Sequence, residues 1–315
     1  MIDRRPYLAS GIVLAAAIHA GCQPADRGQS GDAGSDVAAE SSYDAHVVEV
    51  IARDYAFEAP DEIPSGWTTF RLRNEGKEVH FLLLQRLPEG KTLEEYKAEV
   101  AMPFDSVWHE LQRGLGKADA GAMLGQLLPE WFGSVIQLGG PGFVSAGGVA
   151  QASVNLEPGD YVMECYVKNS DGIFHGMLGM VRALTVTGEA SGASEPQADV
   201  EITLSNYEMA VEGAATAGEQ TVAVHFKEHP EFGLGNDVHL VRLDEGTDME
   251  EVVSWMDWMN VDGLTAPAPA GFVGGAHEMP VGHTGYFTVD LTPGRYAWIA
   301  ESTAALGMVR EFTVE

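Results

Sequence analysis

Four side chains carry most of the chemistry this sequence offers: Cys165, His175 and Met180 on one short stretch, and His80 far upstream. A thiolate, an imidazole and a thioether between two strands, joined by a second imidazole from an earlier one, form a donor set that suits copper. Soft sulfur donors favour Cu(I), and imidazole accepts either oxidation state. Taken singly, each residue has an ordinary use. A lone buried cysteine is commonly a small apolar filler, and Met180 has a counterpart, Met308, in a region without the other donors. Elsewhere the sequence lacks Gly-x-Ser-x-Gly, His-Glu-x-x-His and phosphate-loop patterns. No all-histidine second metal set is visible, and the loop holds one cysteine rather than the two a binuclear centre needs. The chain is therefore expected not to be an enzyme.

The elements that must position these residues are short β-branched and aromatic runs between Gly, Pro and Asn turns: 46–52, 67–73, 80–84, 152–156, 161–167 and 180–187. They read as strands of a sandwich or barrel. After the Gly-, Ser-, Glu- and Pro-rich stretch 189–198 the pattern starts again. Leu156-Glu157-Pro158-Gly159-Asp160-Tyr161 matches Leu291-Thr292-Pro293-Gly294-Arg295-Tyr296, and Leu178-Gly179-Met180-Val181-Arg182 matches Leu306-Gly307-Met308-Val309-Arg310. Colinear matches with drifting spacing indicate one duplicated module with length changes. The first copy is longer between about 96 and 139, where Val107, Trp108, Leu111 and Leu115 share a helical face, as do Met123, Leu124, Leu127, Leu128 and Trp131. A shorter helix with Met249, Val252, Val253 and Met256 on one face is expected in the second.

With the Cys165…His175…Met180 loop between the last two strands and His80 upstream, the first copy resembles the cupredoxins, the blue copper proteins, whose loop reads Cys…His-x₄-Met. The resemblance implies an all-β chain of two tandem cupredoxin-like Greek-key β-sandwiches, each with a helical insert that is longer in the first. The copies span 45–188 and 199–315. It further implies one type 1 copper in the first domain, with His80 and His175 equatorial, Cys165 as thiolate and Met180 axial. Met177 is a rival for the axial place. The expected function is electron transfer or copper handling; the alternative is a metal-free binding module. In the second copy, Ala300 stands opposite Cys165, and the loop is too short to supply a partner for His175. Asn236 or His239 stands opposite His80, depending on which match anchors the alignment. His277 and His283 could catch a surface metal, but scattered, exposed histidines are the expectation.

Residues 1–22 carry Arg4 and Arg5, an uncharged stretch from Leu8 to Ile18, and the ending Ala20-Gly21-Cys22. This reads as an export signal. The ending resembles a bacterial lipobox, which implies lipidation at Cys22 and a periplasmic or cell-surface lipoprotein. Residues 23–44 are expected to form a flexible tether. An exported chain meets oxidants, so an unpaired Cys165 needs burial or a metal. The chain has 18 Lys and Arg against 47 Asp and Glu, a formal net charge of −29. Nucleic acid and anionic headgroups are poor partners for such a surface. A basic redox partner protein fits, and membrane contact is expected only through the lipid anchor.

Overall fold

A computed structural model describes residues 45–230 and 235–315. The expected signal peptide, the tether and Cys22 lie outside the described residues. The fold is all-β. The first half contains β1 (Val47–Arg53), β2 (Ala56–Glu58), β3 (Glu62–Asn74), β4 (Leu83–Arg86), β5 (Ile136–Gln137), β6 (Val149–Leu156), β7 (Gly159–Glu164) and β8 (Val181–Ala190). The second contains β9 (Val200–Ser205), β10 (Glu208–Glu212), β11 (Gly218–Glu228), β12 (Val238–Leu243), β13 (Gly271–Ala276), β14 (Thr284–Leu291), β15 (Gly294–Ile299) and β16 (Val309–Val314).

Long β3 serves both layers of the first sandwich. Residues 62–65 pair with β8, and from Gly66 onward the strand pairs with β6 and, in parallel, with β1. The change of layer falls at Gly66, whose φ of +102° is a conformation that favours glycine. β8, β7, β4 and β5 complete the second layer. In the second half β9 pairs in parallel with β11, as β1 does with β3, and the order β13-β12-β15-β16 forms a separate four-stranded sheet. Alternating burial, as in Val48, Val50 and Ala52 of β1, turns one face of each layer inward. β14 pairs with β6 through Tyr286, Phe287 and Thr288, so one sheet runs through both halves.

The insert in the first half begins with α1 (Leu93–Tyr96), capped by a reciprocal Thr92–Glu95 box, and continues through a π-turn into α2 (Met102–Gln112) and α3 (Lys117–Leu127). Val107, Trp108 and Leu111 are buried, as their spacing predicts. The second expected face stops short, because Pro129 holds Leu128 extended and ends α3 before Trp131. Two further helices are α4 (His175–Leu178) and α5 (Met249–Trp255). Among the described residues no helix is long and apolar enough to cross a membrane.

Candidate metal centre

β7 ends at Glu164, and Cys165 opens the loop that runs through α4 to β8. Backbone bonds close that loop at its neck: Cys165 N donates to Met180 O at 3.1 Å, Met180 N to His175 O at 2.9 Å, and His175 N to Val167 O at 2.7 Å. The tip is folded by Asn169, whose Oδ1 accepts from the amides of Asp171 and Ile173 at 3.0 and 2.9 Å. Trp108 of α2 then donates from Nε1 to Gly172 O at 2.6 Å, which fastens the tip to the insert.

His80 lies just before β4 rather than inside a strand, and is bonded to Val144 in both directions at 3.1 and 2.8 Å. Asn74, fully buried at the end of β3, shapes the turn that delivers it. Its Nδ2 donates to Glu78 O at 2.8 Å and Val144 O at 2.9 Å, and its Oδ1 accepts from Gly76 N at 2.9 Å. Gly76 is required here, because a Cβ would lie 2.2 Å from Asp54 Oδ1 and 2.7 Å from His80 Nε2.

These turns bring three ligand atoms to one point. His80 Nδ1 lies 3.9 Å and His175 Nδ1 3.6 Å from Cys165 Sγ, and all three side chains are fully buried. The outer nitrogens are anchored by carboxylates: His80 Nε2 to Asp54 Oδ1 and His175 Nε2 to Glu78 Oε2, each at 2.8 Å. A neutral imidazole has one proton, and the carboxylates draw it to Nε2. Both Nδ1 lone pairs are thereby left facing the thiol.

The electrostatics favour neutral rings. Burial lowers the His80 pKa although Asp54 opposes this, and burial together with neighbouring His80 lowers His175 to about 3. Burial pushes the Cys165 thiol up to about 12, so without a cation it keeps its proton, and a metal ion at this point would reverse that preference. At Asp54 burial opposes the charge, but His80 and the Lys77 amide outweigh it and hold the carboxyl below its ordinary value. Glu78 moves the other way, raised by burial and by the charge on Asp54.

Of the residues singled out from sequence, His80, Cys165 and His175 are brought together. Met180 is buried, with its main chain bonded to both Cys165 and His175, whereas Met177 is partly exposed on α4. Asp54 and Glu78 were not singled out. Nothing in their spacing marks them, and only the fold carries these carboxylates to the rings.

In the second half, Arg242 of β12 pairs with Tyr296 as Arg86 of β4 pairs with Tyr161. Counting back from each arginine puts Asn236 opposite His80 and leaves His239 opposite Leu83. Ala300 N donates to Met308 O at 3.0 Å, the counterpart of the Cys165 bond to Met180. No thiolate is offered there. One expectation fails, because His277 is 1% exposed rather than a surface histidine. It follows β13, where backbone bonds to the 139–142 segment carry it inward: Gly142 N donates to Gly275 O at 3.0 Å and Gly139 N to Glu278 O at 2.9 Å. His283 is exposed.

No protein-family model matches the chain, and no curated protein matches it. Solved structures do. Auracyanin B is 20% identical, with 45% of this chain and 89% of that one covered and a TM-score of 0.28. Auracyanin A, a "blue" copper protein from Chloroflexus aurantiacus, is 17% identical over 45% of this chain and 98% of that one, with a TM-score of 0.28. A multicopper oxidase is 12% identical over 85% of this chain and 88% of that one, with a TM-score of 0.20. The expectation that the chain is not an enzyme is not upheld, since a multicopper oxidase stands among the similar structures.

Proposed function

We propose that the chain is an exported copper protein that passes single electrons or handles copper, with one type 1 ion in the first of two cupredoxin-like domains, 45–188 and 199–315. The observation that carries this reading is the pair of imidazoles whose Nδ1 atoms face one buried thiol while carboxylates hold their outer nitrogens. The donor set fits copper, since one soft sulfur and two imidazoles serve both oxidation states. In this reading Met180 would be a weak fourth ligand; its burial beside the loop neck supports that assignment. A bound copper ion would supply the one-electron couple. The protein's own groups fix the ring tautomers, exclude water and keep the ligand positions rigid, so little needs to rearrange when charge changes.

The matching parallel pairs β1–β3 and β9–β11, and the shared register of β4–β7 and β12–β15, support reading the halves as copies of one module. Export and a lipid anchor at Cys22 belong to the same proposal, with a basic protein as redox partner and no nucleic-acid role. The test is copper stoichiometry and a mediated redox titration of the purified chain. The expected result is one copper at the thiolate centre, cycling reversibly with one electron. A chain that retains no copper after reconstitution under reducing and oxidising conditions would instead be a metal-free binding module.

A further inference from the structure

A second group of potential ligands lies away from the first centre, at positions the copper reading does not use. Asp237, His239, His277 and Glu301 are all at least nine-tenths buried, and one ligand atom from each lies within 4.8 Å of the others. His239 is held by the Phe143 amide, which donates to its Nδ1 at 3.3 Å, and its Nε2 lies 3.4 Å from Asp237 Oδ2. Asp237 Oδ1 accepts from Glu301 N at 2.7 Å, and Glu301 Oε2 accepts from Tyr166 Oη at 2.8 Å. Three buried polar atoms remain without a hydrogen bond: His239 Nε2, His277 Nε2 and Glu301 Oε1. Unsatisfied buried polar atoms are rare and costly, and three in one ligand cluster share a single remedy.

We propose that Asp237, His239, His277 and Glu301 form a second metal site, for a divalent first-row transition ion such as Zn(II). Two imidazoles and two carboxylates without sulfur form a harder donor set than the first centre, so the two sites differ in metal preference. A dication would offset the two buried carboxyl charges and give the orphaned atoms a common partner. Tyr166 acts as a positioning residue. Its hydroxyl orients Glu301, and it follows Cys165 directly in the chain, so a path of covalent bonds and one hydrogen bond joins the two clusters. Asp237 and His277 also border a cavity of about 80 Å³ shared with Glu164 and Gly176 beside the first loop.

The site does not rest on the copper reading, so its test uses the full chain carrying Cys165→Ser, which has lost the thiolate of the first centre. Titrated with Zn(II), that chain should bind one equivalent and melt at a higher temperature, since an ion that binds only the folded state stabilises it. Co(II) should give ligand-field bands without a thiolate charge-transfer band. His277→Gln and Glu301→Gln, each added to Cys165→Ser, should remove the equivalent. Tyr166→Phe should weaken Zn(II) binding by about 10–100-fold without removing a ligand. Failure of the Cys165→Ser chain to bind Zn(II), or full stoichiometry in both glutamine variants, would overturn the proposal. Should those variants misfold, anomalous scattering from Zn(II)-soaked crystals of the unsubstituted chain decides: a peak between the two imidazoles supports the site, and its absence there refutes it.

Discussion

Protons on two imidazoles decide which nitrogen a metal would meet at Cys165. Asp54 and Glu78 hold those protons on the outer nitrogens, so their contribution is to orientation and to ring basicity rather than to the ligand count. Asp54→Asn keeps the shape but reverses the preference, because an amide can present a donor to Nε2. The expected outcome is a chain that still colours with Cu(II) but binds it about 10–100-fold more weakly in competition with a chelator of known affinity. Unchanged affinity would show that the ring is held by packing alone. Cys165 and His175 share one loop and can be read as a pair, whereas Asp54 reaches His80 only through the turn built on Asn74 and Gly76. His239 and His277 were read only as a possible counterpart of His80 and as an exposed histidine, since the burial that brings them together leaves no local periodicity in the sequence.

Between elements, the insert does more than add apolar area. Trp108 of α2 is fully buried, donates to Gly172 at the tip of the ligand loop, and lies beneath Lys168 Nζ at 3.4 Å from its ring centroid. Trp108→Ala should cost about 3–5 kcal/mol in urea denaturation and speed amide exchange around Gly172. A comparable loss of stability with unchanged exchange at the loop would confine α2 to packing. Lys168 is fully buried and donates to Trp258 O at 2.8 Å. Burial lowers its pKa from 10.5 to about 7, despite the charges of Glu301, Asp257 and Asp262. A base whose folded pKa is lowered binds fewer protons when folded, so its contribution is present above the unfolded value and is lost as pH falls towards 7. The stability of the native chain relative to Lys168→Met should therefore rise between pH 7 and pH 10. A difference that stays flat or falls over that range would contradict the assignment. The helical face of α2 was legible from its apolar spacing, but the role of the helix was not, because Lys168 and Gly172 meet it only in the folded loop.

For the whole molecule, the all-β class could be read from alternation and turn residues. The continuous sheet through β6 and β14 could not, since pairing between distant strands is set by packing of the halves. In the proposed reading the net charge of −29 would act at this scale too, by steering encounter rather than by shaping the fold. Association with a basic redox partner should slow steeply as ionic strength rises through the range where the screening length falls to about 10 Å. A salt-independent rate constant, measured by stopped flow, would mean that the acidity does not guide docking. The central claim is that Cys165 ligates copper, and the visible absorption spectrum of the Cu(II)-loaded chain tests it most directly, because nitrogen and oxygen ligands give no comparably intense charge-transfer band. The expected result is a strong visible band in the native chain that is absent in Cys165→Ser; a loaded native chain without that band, or a Cys165→Ser chain that keeps it, would contradict the claim.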